Sequence, residues 1–169
     1  MKLYIVGSVA SGKSTLARQL SAKSGIPCYH LDDVVYQKDT NSMEGNRKRT
    51  PEERDLLFQK IISGDCIIED TGRACFSEGL YLADQIIVLD IPYSVRAFRI
   101  IRRHIRQTLG IEKSGYKPSL KMVRMMFGWA KNFDTGADGV KERISPYIEK
   151  TVTLHTAKEV KQFTENFTV

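Results

Sequence analysis

The chain is poor in cysteine: it has three in 169 residues, Cys28, Cys66 and Cys75. The count is odd, no pair forms CxxC, and no Cys or His spacing suits a metal. This excludes a disulfide scaffold and a structural zinc site, and reduced thiols in a cytoplasmic protein are the expectation. Long apolar runs are also missing. The stretch from Leu3 to Val6 is too short for a signal-peptide core and breaks at Gly7, and no segment approaches the ~20 apolar residues that cross a bilayer. No membrane partner is expected. Internal repeats and low-complexity tails are absent, and five prolines leave most of the chain free to form regular structure.

Acids are nearly absent from one segment. Ten basic residues lie between Tyr93 and Lys131 (Arg96, Arg99, Arg102, Arg103, Arg106, Lys113, Lys117, Lys121, Arg124, Lys131), with Glu112 the only acid. That segment carries +9 of a net +6, so the remainder carries −3. A concentrated basic segment on a slightly acidic body suggests a local polyanion, such as the phosphates of a nucleotide. A general nucleic-acid binder is more often basic over a broad face, so nucleic acid is a secondary expectation.

What is present is an alternation of strand and helix patterns. "KLYIVG", "IPCYHLD", "CIIED", "QIIVLDIP" and "TVTLHT" read as five short strands. Helices are expected over "KSTLARQLSAKSG", from Thr50-Pro51 to about Ser63, after Pro92, over "SLKMVRMMFGWAKNF" and "DGVKERISPYIEK", and over "AKEVKQFTENF". Thr50, Pro51 and Glu53 supply an N-cap, a first-turn proline and a capping box. The polar "QKDTNSMEGNRKR" is expected to be a mobile loop. In the helix after Pro92, Phe98, Ile101, Ile105 and Leu109 fall on one face, and Arg96, Arg99, Arg103 and Arg106 on the adjoining one. Strands alternating with helices imply one α/β domain over residues 1–169, a five-stranded parallel sheet covered on both faces in a three-layer sandwich.

The strongest signal is "GSVASGKS", Gly7 to Ser14, which matches G-x-x-x-x-G-K-[ST] after a predicted strand and at the opening of a predicted helix. A chain of this size matches by chance on the order of once in a hundred. Such a P-loop turns backbone N–H groups inward over Gly7, Ser8, Val9, Ala10, Ser11 and Gly12, and the following helix adds its positive end. Lys13 can reach β- and γ-phosphates, the Ser14 hydroxyl can coordinate Mg²⁺, and Thr15 adds a nearby hydrogen bond. ATP and Mg²⁺ are the expected cofactors.

The motifs "GSVASGKST", "HLDD" and "ADQIIVLDIP" with the arginines that follow resemble P-loop kinases of the adenylate kinase type, and in layout the group of DNA topology modulation proteins. The resemblance runs from Lys2 to about Phe163 and implies an adenylate/shikimate kinase-like P-loop fold. It also implies an acceptor-binding excursion near 33–63 and a helical lid near 96–135. The chain departs from the pattern at "EDTGRA", where an acidic residue, Gly, Asn and Tyr are expected.

Acids gather where ligands of such sheets bind, beyond the carboxyl ends of strands. Glu69 and Asp70 end a Walker-B-like strand and are candidates to hold Mg²⁺ or its water. The resemblance implies that Asp32 orients or deprotonates an acceptor hydroxyl. Asp33 and Asp90 are candidates either for this site or for helix capping. Arg73 is a candidate for an acceptor phosphate or sugar. An arginine stripe is by itself as consistent with a solvated helix side, but the resemblance implies that Arg96, Arg99 and Arg103 reach the transferring phosphate when a lid closes. His30, His104 and His155 lack mutual metal spacing and are expected to be structural or exposed. The Met- and aromatic-rich "MVRMMFGWAKNF" reads first as a packed helix face.

The sequence thus points to an ATP-dependent kinase transferring a phosphoryl group to a small acceptor such as a nucleoside, a nucleotide or a similar hydroxyl compound. The alternative is a nucleotide-dependent regulator of DNA or a protein partner. No N-K-x-D guanine signature is present, which disfavours a GTPase switch. A monomer is expected.

Overall fold

The computed structural model describes residues 1–39, 45–112 and 118–168. Lys113 and Lys117 of the basic segment, and residues 40–44 of the polar stretch, lie outside them. In chain order the elements are β1 (Lys2–Gly7), α1 (Lys13–Ser24), β2 (Cys28–His30), α2 (Leu31–Val35), β3 (Tyr36–Lys38), β4 (Asn46–Lys48), α3 (Pro51–Ile62) and β5 (Cys66–Asp70). A 3₁₀ turn then leads into α4 (Ser77–Leu82), followed by β6 (Gln85–Leu89), α5 (Tyr93–Thr108), α6 (Leu120–Thr135), α7 (Val140–Ile144), a second 3₁₀ turn, β7 (Thr151–Leu154) and α8 (Ala157–Asn166).

Five strands form a parallel sheet in the order β2-β5-β1-β6-β7. The period-2 alternation of β1 divides its side chains between two cores. Leu3 and Ile5 pack with Leu16 and Leu20 of α1 and with Phe167 after α8. Tyr4 and Val6 pack on the other face with Phe58 of α3, Leu80 of α4 and Ile144 of α7. The three layers follow from strands that are apolar on both sides. α3 begins as its sequence dictates: Thr50 Oγ1 accepts from the Glu53 amide and the Glu53 carboxylate accepts from the Thr50 amide.

A third, smaller cluster joins Ile100, Met126 and Ala130 to Val9, Ala10 and Phe127. It seats the α5–α6 pair on the glycine-rich loop after β1. The Met- and aromatic-rich helix therefore does pack, through Met126, Ala130 and Phe133.

Three expectations are corrected, and the roll of α5 is fixed. The polar stretch 37–49 is not an open loop at its ends, because β3 and β4 pair as an antiparallel ribbon. The Arg49 amide donates to the Val35 carbonyl, and its guanidinium donates to the carbonyls of Asp33, Val34 and Tyr36. Backbone pairing satisfies this ribbon without any apolar period to announce it. The second strand ends at His30, and Asp32 and Asp33 stand on the short α2 instead of a strand end. The segment "DGVKERISPYIEK" breaks into α7 and a 3₁₀ turn that carries Pro146 at its start. Finally, the apolar stripe of α5 faces water: Phe98, Ile101, Ile105 and Leu109 are 66%, 49%, 52% and 67% exposed. The opposite side of α5, with Arg96, Ile100 and Gln107, is buried against α6 and its surroundings. The helix is turned so that part of its arginine side lies inward.

Candidate active site

The P-loop is built as its residues require. A Cβ on Gly7 would stand 2.8 Å from Ser11 Oγ and 2.9 Å from the Leu89 carbonyl oxygen, so only glycine fits. Gly12 has φ of 106° and Ala10 a left-handed φ of 59°. The strain at Ala10, about 1–3 kcal/mol for a non-glycine residue, is the kind stored at ligand-gripping turns. The loop closes on a Ser8 carbonyl that accepts from the Ser11 amide at 3.3 Å, and α1 starts beneath it. Ser8, Ser11 and Lys13 are buried, and the hydroxyls of Ser8 and Ser11 have no hydrogen-bond partner among the described residues. Buried orphan hydroxyls are costly unless a ligand completes them, and phosphate oxygens suit two donors beside an ammonium. Lys13 Nζ donates to the Ser8 carbonyl at 2.9 Å. Burial lowers the Lys13 ammonium from its ordinary value, and the charges of Glu69, Asp32 and Asp70 oppose that fall. Val9 stands in the same loop, and Thr15, on the first turn of α1, is exposed.

Glu69 lies beside this cradle. Its Oε1 accepts from Ser14 Oγ at 3.0 Å and contacts His30 Nδ1 at 2.9 Å, while Oε2 has no hydrogen bond among the described residues. The contact follows from register, since His30 of β2 stands opposite Glu69 of β5. Burial pushes the Glu69 carboxyl up, but the His30 hydrogen bond and then the Lys13 charge outweigh it and hold the group below its usual range. The same hydrogen bond raises His30 above the ordinary imidazole value, against its partial burial. His30 therefore stands beside the P-loop in contact with Glu69, a placement that spacing in the sequence does not announce. Among the described residues no group of three His, Cys, Asp or Glu is disposed to cage a metal. One hydroxyl, one carboxylate and an adjoining phosphate cradle are instead the donor set that Mg²⁺ takes when it arrives with a nucleotide and keeps its waters.

Asp70 is committed elsewhere, which corrects its assignment to the metal. Its Oδ2 accepts from the amides of Gly72 at 2.8 Å and Arg73 at 2.6 Å, and its Oδ1 pairs with the Arg73 guanidinium. The fully buried carboxylate thus caps the turn after β5. The other end of the Arg73 guanidinium pairs with Asp32. Burial works against the charged Arg73, but Asp70 and Asp32 together raise its pKa further. One guanidinium therefore ties the turn of β5 to α2 and fixes Asp32, whose side chain stays 66% exposed at the mouth of the site. Asp33 is exposed beside it and makes no capping hydrogen bond. Asp90 stands apart, near Lys141 at 4.0 Å and His155 at 3.9 Å.

The arginines of α5 divide. Arg99 Nη1 donates to the carbonyls of Ala10 at 3.2 Å and Ser11 at 2.9 Å, directly over the P-loop. Arg96 is fully buried. Its Nε donates to the Ile91 carbonyl at 2.7 Å, Nη1 to the Ala130 carbonyl at 3.1 Å, and Nη2 pairs with Asp134. All three directions are used within the chain, so Arg96 is a clamp between α5 and α6 and not a mobile phosphate ligand. Arg103, one turn beyond Arg99, faces Glu112 at 3.6 Å and is not brought to the P-loop. Reasoning from the sequence missed Arg143, whose Nε donates to the Gly72 carbonyl at 3.0 Å and whose Nη2 donates to the Asp138 carbonyl at 2.7 Å. Nothing in local spacing marks it, because Gly72 is distant along the chain.

No protein-family model matches the chain. A shikimate kinase of Salinibacter ruber is 27% identical over 130 residues, a match that spans 68% of this chain and 61% of the length of that curated relative. Among solved structures, the shikimate kinase of Aquifex aeolicus superposes with a TM-score of 0.52 at 17% identity, covering 98% of this chain and 92% of its own. The deoxyadenosine kinase of M. mycoides with bound dATP gives a TM-score of 0.55 at 16% identity, covering 98% and 96%. The chain has the shikimate/adenylate kinase-like P-loop fold. No helix among the described residues is long and apolar enough to cross a membrane.

Proposed function

We propose that the protein is a phosphotransferase that moves the γ-phosphoryl group of ATP to a hydroxyl of a small acceptor, a nucleoside, a nucleotide or a similar hydroxyl compound. The observation that carries this reading is a buried lysine and two orphan buried hydroxyls in the P-loop, with Asp32 held at the site mouth by Arg73. The shikimate, gluconate and deoxyadenosine kinases that share the fold support it. A place in the topology modulation group is supported by the sequence alone, through the layout of "GSVASGKST", "HLDD", "ADQIIVLDIP" and the arginines that follow.

In this reading the amides and hydroxyls of residues 8–14 hold the triphosphate, and Lys13 lies against its outer oxygens. Ser14 and Glu69 would hold Mg²⁺ arriving with the nucleotide, and the ion would supply neutralising charge to the phosphates. Asp32 accepts the proton of the acceptor hydroxyl as that oxygen bonds to the γ-phosphorus. The bond from that phosphorus to the bridging oxygen breaks, and ADP departs. Arg99 turns from the loop carbonyls to the equatorial oxygens and offsets their charge. Residues 33–63 form the acceptor side and residues 96–135 the cover that excludes water. We read the protein as a cytoplasmic monomer.

The regulatory alternative draws on the basic segment, but Arg96, Arg99, Arg103 and Arg106 are engaged within the chain. That leaves less free charge for a nucleic-acid strand than the sequence suggests. Coupled measurement of ADP release over a panel of nucleosides, nucleotides and polyols tests the reading. An acceptor-dependent rate is expected, abolished by Lys13→Ala and reduced about 10²–10⁴-fold by Asp32→Asn. Hydrolysis independent of acceptor and untouched by Lys13→Ala overturns it.

A further inference from the structure

We propose that His30 is a positioning residue that holds the Glu69 carboxylate in place for metal-bound ATP and away from Lys13. The inference rests on the phosphotransferase reading and assigns a role to a residue outside the P-loop motif. Both restraints on Glu69 converge on one oxygen: His30 Nδ1 at 2.9 Å and Ser14 Oγ at 3.0 Å both meet Oε1. The second oxygen is left without a hydrogen bond among the described residues, free for a cation's water. His30 comes from the end of β2, one strand away, so it approaches Glu69 from outside the P-loop.

The arrangement matters because of what else is near. The buried Lys13 ammonium lies close enough for its charge to act on Glu69, and among the described residues its one hydrogen bond is to the Ser8 carbonyl. A carboxylate released from His30 would keep a single tether, Ser14, on a hydroxyl that must itself turn its lone pairs to the metal. Its lowest-energy alternative is the adjacent ammonium, since an ion pair in a buried setting is strongly favoured over a lone charge. Lys13 would then be neutralised before nucleotide arrived, and the metal would lose its carboxylate. His30 keeps the two opposite charges of the site apart and each available to its ligand. Outer residues that orient metal-site carboxylates commonly govern metal affinity 10–100-fold.

Calorimetric titration of ATP, with excess Mg²⁺ and again with EDTA, tests this in the full-length protein. His30→Ala is expected to weaken binding of magnesium-bound ATP about 10-fold or more, through loss of both the carboxylate and the free ammonium, and to weaken binding of metal-free ATP by a clearly smaller factor, through the ammonium alone. His30→Asn, whose side-chain amide can donate from nearly the position of Nδ1, is expected to return the affinity to within about threefold of the parent. In a Glu69→Gln background, His30→Ala is expected to add nothing, because the two residues act through one contact. Equal loss with and without magnesium would mean a role in the fold alone and overturns the proposal, as does an Asn variant that behaves like Ala, or full additivity with Glu69→Gln. A parent protein whose ATP affinity ignores magnesium removes the metal from the proposed function and this role with it. A magnesium-sensitive parent with an unaffected His30→Ala variant removes this role alone.

Discussion

The buried guanidinium of Arg96 pairs with the carboxylate of Asp134 and so locks α5 to α6. Removing the arginine takes a donor from the carbonyls of Ile91 and Ala130 and opens a void. Arg96→Ala is expected to cost about 3–5 kcal/mol in urea denaturation. Asp134→Asn should cost less, about 1–2 kcal/mol, because Asp134 is partly solvated and water screens the pair. A stable Arg96→Ala protein that has lost only turnover would restore the arginine to the phosphate and contradict the clamp.

Arg99 is the arginine of α5 that stands over the P-loop. Arg99→Ala is expected to lower kcat on the order of a thousandfold with a smaller change in KM, since the group acts on charge that grows in the transition state. Arg99→Lys should recover little of that loss, because a point charge lacks the planar fork. Steady-state kinetics with the acceptor found in the panel would decide it, and an unchanged kcat for Arg99→Ala would exclude the role.

The phase of α5 can be checked by stability alone. Ile100 is buried in the cluster over the P-loop, whereas Ile105 is half exposed on the far side. Ile100→Ala is expected to cost about 2–5 kcal/mol, and Ile105→Ser to fall within about 0.5 kcal/mol of the parent. Similar losses at both positions in thermal or urea unfolding would mean that the stripe is covered in solution.

The three thiols should react in order of access. Cys75 is exposed, Cys28 is half-buried, and Cys66 is buried in β5. Burial also pushes the Cys66 thiol up, so less of it is thiolate at neutral pH. A disulfide reagent is expected to modify Cys75 first and Cys66 only on unfolding, and Cys75→Ser should remove the fast phase. Rapid labelling of Cys66 in the native protein would count against the burial of that strand.

What could be read without the fold is what depends on near neighbours in the chain. The P-loop from Gly7 to Ser14 and the capping box from Thr50 to Glu53 are each closed by contacts within one or two turns, and both stand as expected. The five strands were legible because apolar runs bounded by polar turns carry their own signature. The contacts that bring the candidate site together are of another kind. His30 meets Glu69 through strand register, Arg73 reaches Asp32 across 41 positions, and Arg143 meets Gly72 across 71. Periodicity in α5 correctly grouped its apolar side chains but could not say which way the helix is rolled. That roll is set by α6, where Arg96 finds its carbonyls and carboxylate, and it left the arginines split among three tasks.

Because β1 is paired on both edges, by β5 and by β6, its amides cannot reach water until one of those neighbours leaves. The P-loop hangs from that strand. Deuterium should therefore enter the β3–β4 ribbon and the α5–α6 pair long before Tyr4, Ile5 and Val6. The ribbon and that helix pair can then open locally while β1 and its loop still stand.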